Sequence, residues 1–196
     1  MAQMEKTSSK IMIKKIVIVG PESTGKSTLC KELAAHYQTM WCPEYARTYL
    51  LEHGTTYQFE DLLTIAKGQL ALEDQHTALL EEQQRTLAKT NAVWPLFIDT
   101  DMYVMKVWSE FVFKKCHRFI LDQIVKRRYD HYLLCNTDLP WVQDELREYP
   151  DLSTRETLFS MYKDCLINQS VGWTLIGGTE TERLRNAIAA VDQLLH

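Results

Sequence analysis

The residues with the clearest chemistry are GPESTGKST, positions 20–28. Gly20, Gly25, Lys26 and Ser27 match G-x-x-x-x-G-K-[ST], the phosphate-cradling Walker A pattern. The spelling has a physical reason. Gly20 and Gly25 let the chain take positive φ angles with no side chain in the way. The backbone N–H groups then turn inward around an anion, at the positive end of a helix. Lys26 is placed to reach the β- and γ-phosphates, and the Ser27 hydroxyl to ligate Mg²⁺. Glu22, Ser23, Thr24 and Thr28 complete the loop. The implied ligand is a nucleoside triphosphate with Mg²⁺.

A second set of candidates follows later apolar runs. Leu96–Ile98 leads into Asp99-Thr-Asp101. An acid ending an apolar strand fits the Walker B position, which helps to hold Mg²⁺. Residues i and i+2 of a strand share a side, about 7 Å apart. Asp99 and Asp101 are thus expected to share a face, one serving the metal and the other accepting a proton from an attacking hydroxyl. Asp101 also stands where an N-cap for a helix from Met102 would stand. Glu44 and Arg47 follow the apolar run Met40–Cys42; they suit sugar hydroxyls and phosphate, or a simple i,i+3 ion pair. Asn136-Thr-Asp138 follows His131–Cys135. It lacks the Lys and the three-residue step of the guanine-reading N-K-x-D pattern, which disfavours a GTPase. The segment beyond it mixes Asp138, Trp141, Asp144 and Arg147, with Arg155 further on. That composition suits a lid that closes on phosphates and excludes water.

The elements that must position these groups alternate. Lys15–Val19 reads as a strand and Leu29–Tyr37 as a helix. Met40–Cys42, Leu96–Ile98, His131–Cys135 and Trp173–Ile176 read as further strands. Helices are expected over Glu44–Glu52, Phe59–Lys89 (one helix, or two broken near Gly68), 102–113, 117–127, Ser153–Asn168 with Ser153 and Glu156 as a capping box, and from Thr179 or Thr181 to Leu195. Strands alternating with helices imply an α/β fold: a central parallel sheet of about five strands with helices on both faces, the three-layer P-loop NTPase arrangement. Ligands of such sheets bind at the carboxyl ends of the strands. Every polar cluster named above falls there.

Composition narrows the partners. The 196 residues suit one domain, with residues 1–14 as a flexible extension before a domain over 15–196. A net charge of −4 provides no general field for nucleic acid or an anionic membrane. The basic run Lys126–Arg128 reads as a solvated helix end. No stretch approaches the roughly 18 apolar residues of a membrane helix. Five cysteines without a C-x-x-C pair suggest reduced thiols in a cytoplasmic protein, not a zinc site.

GPESTGKST, PEYAR, IDTD, LLCNTDLPWVQDELR and IGGTETERL together resemble the P-loop kinase domain of NadR-type proteins, the ribosylnicotinamide kinases. The resemblance covers about Lys15 to Leu195, and the NTDLPWVQDELR block is its most specific part. It implies phosphoryl transfer from ATP to the 5′-hydroxyl of nicotinamide riboside. Adenylyl transfer within this chain is not expected, because it has no H-x-G-H motif. The acceptor carries a cationic ring, which favours an aromatic face such as Trp41, Tyr45 or Trp141, at about 0.5–2 kcal/mol. Glu44, Asp138 and Asp144 are candidates for its ribose hydroxyls or its ring charge, and Gly177-Gly178 for covering adenine. Trp94, Trp108 and Trp173 read as core residues. Two other readings stand beside this one: a deoxynucleoside or nucleotide kinase, and a regulatory ATP-binding module with little catalysis.

Overall fold

The computed structural model describes residues 11–87 and 92–195, and the side chain of Glu180 is not among the groups described. The expected extension over 1–10 lies outside them. Residues 12–14 do not belong to an extension, because strand β1 runs over Met12–Val19 and Met12 already pairs with Val93. The remaining elements are α1 (Lys26–His36), β2 (Trp41–Cys42), α2 (Tyr45–His53), α3 (Phe59–Thr86), β3 (Val93–Asp99), α4 (Met102–Phe113), α5 (Arg118–Lys126), β4 (His131–Cys135), α6 (Leu152–Ile167), β5 (Trp173–Ile176) and α7 (Glu180–Leu195).

The five strands form one parallel sheet in the order β2-β3-β1-β4-β5. Both faces are covered, as a parallel sheet requires. Period-2 alternation sorts the strand residues between them. Ile16, Ile18, Phe97, Leu133 and Ile176 pack with Leu29 and Leu33 of α1 and Ala187 and Val191 of α7. Val17, Val19, Leu96, Ile98 and Leu134 face the other way, onto Val104 and Val107 of α4 and Leu158 and Leu166 of α6. A third apolar cluster joins α2, α3, α4 and α5 beside the sheet. Pro95 is tolerated inside β3 because β2 pairs with β3 only at Phe97 and Ile98, leaving that flank of Pro95 without a strand partner.

The stretch from Phe59 is one unbroken 28-residue helix. Gly68 does not break it. A Cβ there would lie 2.1 Å from the Tyr45 ring, so the glycine makes room for α2 to approach α3. Asp151, not Ser153, caps α6: its side chain accepts from the Thr154 N–H at 2.8 Å. Arg127 is not a solvated charge. It pairs with Asp74 and lies 3.5 Å from the buried Glu73, whose carboxylate also accepts from Lys15 (2.8 Å) and the Tyr129 hydroxyl (2.8 Å). All five cysteines are free thiols, and Cys30, Cys42 and Cys135 are buried. Among the described residues, no helix is long and apolar enough to cross a membrane.

Register fixes the functional rim. Ile18 pairs with Asp99, and Val19 with Leu134, so the loop after β1, the end of β3 and the Asn136 turn after β4 lie side by side.

Candidate active site

The rim opens into a cavity of about 670 Å³, lined at one end by the Gly20–Thr28 loop. A Cβ on Gly20 would meet the Cys135 carbonyl oxygen at 2.8 Å, and its φ of 142° is one that side chains resist. Only glycine lets the loop leave β1 so close to β4. Gly25 precedes α1, whose first turn has no acidic residue and no side-chain cap. Its first N–H groups have no partner within the helix, an arrangement that suits an anion. Lys26 donates to the Pro21 carbonyl at 2.8 Å, as does the buried Thr24 hydroxyl at 2.8 Å.

Ser27 donates from its hydroxyl to Asp99 Oδ2. Asp99 is buried, and its Oδ1 has no hydrogen-bond partner among the described residues. Burial pushes its carboxyl up to about 6, with the nearby Glu44 charge adding to the shift and Lys26 opposing it. Asp101 is elsewhere. Its Oδ1 accepts from the Tyr103 and Val104 N–H groups at 2.9 and 3.2 Å, and its Oδ2 from the Tyr132 hydroxyl at 3.0 Å. It caps α4 beneath the rim and does not line the cavity. The expected shared face fails at Thr100, which ends the strand with a φ of +85°. Such a conformation is an outlier for a β-branched residue. Thr100 instead donates to Glu44 Oε1 at 3.3 Å, which brings Glu44 to the side of Asp99.

Residues 136–151 contain no helix or strand and fold across the loop. Two loop side chains hold them. Ser23 Oγ accepts from the Val142 N–H at 2.9 Å and from Arg147 at 3.4 Å. Glu22 Oε2 accepts from the Glu148 and Tyr149 N–H groups at 2.9 and 3.1 Å, and burial raises its carboxyl above the usual range. Arg147 lines the cavity beside Lys26. Arg155 does not. It is 3% exposed and donates to the backbone carbonyls of Ser23 and Leu139 at 3.2 and 3.3 Å, bracing the loop from behind.

The other candidates divide similarly. Trp41, Glu44, Arg47 and Asp144 line the cavity. Lys31 sits over the Trp41 ring at 5.4 Å, so that face already has a cation. Tyr45 turns onto Gly68, and Trp141 packs under Arg155 at 5.8 Å; neither reaches the cavity. Asp138 and Gly178 share a second, smaller hollow with Leu139, Pro140, Thr179 and Glu182. There Asp138 accepts from the Gly178 N–H at 2.7 Å and pairs with the buried Arg183.

Five aromatic residues absent from the sequence-level candidates also line the cavity: Tyr57, Trp108, Phe111, Tyr149 and Tyr162. Trp108, expected in the core, donates its indole N–H to the Tyr57 hydroxyl at 2.9 Å, and that hydroxyl donates to Glu148 at 3.0 Å. The Tyr57 and Trp108 rings meet edge to face at 4.9 Å. One cavity is thus lined by the Gly20–Thr28 loop, by several carboxylates and by aromatic rings.

A family model described as an AAA domain matches residues 15–183. The trifunctional NAD biosynthesis/regulator protein NadR of Salmonella typhimurium is 26% identical over 163 residues, 81% of this chain and 37% of that protein. NadR of Escherichia coli is 30% identical over 139 residues, 69% of this chain and 31% of that protein. The chain is thus homologous to a segment of NadR and spans about a third of the length of these curated relatives. Among solved structures, NadR in complex with NR superposes with a TM-score of 0.75 at 19% identity, over 94% of this chain and 51% of the other. Thymidylate kinase from Ehrlichia chaffeensis gives 0.57 at 12% identity, over 94% of this chain and all (100%) of the other. These likenesses establish the P-loop NTPase fold.

Proposed function

We propose that this chain, which belongs to the AAA-domain family, transfers the γ-phosphoryl group of ATP to the 5′-hydroxyl of nicotinamide riboside, giving nicotinamide mononucleotide. One observation carries the reading: a single cavity is lined by the Gly20–Thr28 cradle, by carboxylates and by the Tyr57 and Trp108 rings. A cationic pyridinium ring prefers that setting, and a neutral base gains less from it. The homologous segment of NadR, a protein of NAD biosynthesis, supports the same acceptor.

The residues divide the work. The N–H groups at the start of α1, Lys26 and Arg147 hold the triphosphate and the charge that moves with its terminal group. Ser27 and Asp99 would hold Mg²⁺ once their mutual hydrogen bond opens. Asp99, whose Oδ1 has no partner among the described residues, and the Ser27 hydroxyl would offer it hard oxygens beside those of the nucleotide and water. No group of three or more acidic, His or Cys side chains forms a dedicated cage among the described residues, which matches how Mg²⁺ binds with a nucleotide. When bound, the ion neutralises charge on the β- and γ-phosphates. With Asp101 committed to its cap, we assign to Glu44, which lines the cavity on the side of Asp99, the task of orienting the acceptor hydroxyl and taking its proton. Tyr57 and Trp108 receive the ring, and residues 136–151 exclude water from the transfer. The acceptor is a small molecule, not nucleic acid or membrane, and we place the reaction in the cytoplasm, where free thiols stay reduced.

The test is release of ADP from Mg-ATP across a set of nucleosides. Turnover with nicotinamide riboside well above that with thymidine or cytidine is expected. Turnover with thymidine or cytidine and none with the riboside would replace this reading by a deoxynucleoside kinase.

A further inference from the structure

The cations of the cavity are not treated alike. Lys26 and Arg147 donate only to neutral oxygens, and Lys31 lies over the Trp41 ring. None of the three is in an ion pair among the described residues. Arg47 is the exception. Its two terminal nitrogens meet both oxygens of Asp144 at 3.1 Å, a two-pronged pair, and Glu145 lies 4.0 Å away. Asp144 is held ready for this, because its Oδ1 also accepts from the Leu146 N–H at 3.1 Å. Arg47 projects from α2, on the Glu44 side of the cavity, while Asp144 belongs to the segment that covers the loop. So the cations near the cradle are left for phosphate, and the cation on the acceptor side is cancelled.

We propose that Asp144 is a specificity-determining residue: by neutralising Arg47 it keeps the acceptor site selective for nucleosides and closed to acceptors that already carry a 5′-phosphate. This deepens the kinase reading above and rests on it. A nucleoside 5′-monophosphate entering the acceptor side would bring about two negative charges into a cavity that also holds Glu44, Asp99, Asp144 and Glu145, with Arg47, the cation on that side, already paired. Specificity of this kind comes from an unfavourable arrangement for the wrong ligand as much as from contacts to the right one. The product is itself such a monophosphate, so the same cancellation speeds its departure. The pair is partly open to solvent, with side chains 48% and 22% exposed, so the discrimination is graded and not absolute.

The experiment compares wild type, Asp144→Asn and the double variant Arg47→Ala/Asp144→Asn by calorimetry, with nicotinamide riboside and with its 5′-monophosphate. Asp144→Asn is expected to tighten binding of the monophosphate at least tenfold, with the riboside measured alongside so that the shift is read as the ratio of the two. The double variant is expected to lose the gain. An unchanged monophosphate affinity in a folded Asp144→Asn protein, or a gain that survives removal of Arg47, overturns the proposal. Should Asp144→Asn not fold, Asp144→Ala is read in the same way. If wild type binds neither ligand, the acceptor assignment fails, and thymidine with its 5′-monophosphate replaces the pair: a tenfold shift on Asp144→Asn still upholds the role of Asp144, and no shift ends it.

Discussion

Ser27 and Asp99 share a hydrogen bond across the junction of the loop and β3, and the second Asp99 oxygen is buried without a partner. An unpaired buried oxygen is costly, and the Mg²⁺ proposed above would relieve that cost. Metal binding requires the ionised carboxylate. Because burial holds the Asp99 carboxyl near 6, Mg²⁺ affinity in the presence of an unreactive ATP analogue should weaken as pH falls through about 6. Asp99→Asn should lower that affinity by roughly 10–100-fold and flatten its pH dependence. An Asp99→Asn protein that binds Mg²⁺ normally would remove Asp99 from the metal site.

Lys26 lies against the Pro21 carbonyl and must turn outward to meet a phosphate. Lys26→Ala should lower kcat by roughly 10²–10³-fold, the scale of one lost donor to developing charge. Its melting temperature should change little, since Lys26 lies on the cavity wall. Turnover within threefold of wild type would place the reaction away from this loop.

Asp101 yields a prediction about stability. Burial raises its carboxyl to about 7, above an unfolded value of about 3.9. Between those values the native state binds more protons than the unfolded one. Its contribution is thus fully present below about pH 4 and is lost as pH rises through about 7. The stability gap between wild type and Asp101→Asn should be largest in acid and shrink towards neutral pH in denaturant titrations. Turnover of Asp101→Asn should fall less than tenfold. A fall like that of Asp99→Asn would mean that Asp101 acts in catalysis after all.

Glu22 ties the cover to the loop through two backbone N–H groups. Glu22→Ala should raise hydrogen exchange at the Glu148 and Tyr149 amides at least roughly tenfold, the equivalent of about 1.4 kcal/mol of lost protection. Unchanged exchange would show that Glu22 does not hold the segment.

Trp108 is expected to read the charge of the acceptor ring. Trp108→Leu should raise KM for nicotinamide riboside by about 2–30-fold and for a neutral nucleoside by less. Equal effects on the two would assign Trp108 to shape alone.

The sequence displays the frame of this site well and its acceptor end poorly. The loop is legible because backbone N–H groups around a phosphate demand Gly20, Gly25, Lys26 and Ser27 at fixed spacing. The rim is legible because buried parallel strands are apolar until they end, so Asp99 and Asn136 mark their own ends. Asp101 is misplaced by the alternation rule because one residue, Thr100, leaves the β region. Tyr45 is misplaced because its contact is with Gly68, a residue 23 positions away whose missing side chain reads locally as a helix break. Tyr57, Trp108, Phe111 and Tyr149 carry no local signal at all. Trp108 and Phe111 on α4 are spelled the same way whether they face a core or a cavity, and Tyr57 and Tyr149 lie in irregular chain that only tertiary packing brings to the site. Likewise, nothing in the spacing of Arg47 and Asp144, 97 residues apart, announces their pairing.

The most direct test of phosphoryl transfer to a nucleoside at this site is a crystal structure with nicotinamide riboside, Mg²⁺ and an unreactive ATP analogue. The riboside 5′-hydroxyl should lie in line with the γ-phosphate and about 2.6–3.2 Å from a Glu44 carboxylate oxygen, with Mg²⁺ on Ser27 and Asp99 and the pyridinium ring against Trp108 and Tyr57. A riboside bound outside this cavity, or one whose 5′-hydroxyl points away from the γ-phosphate, would contradict the account.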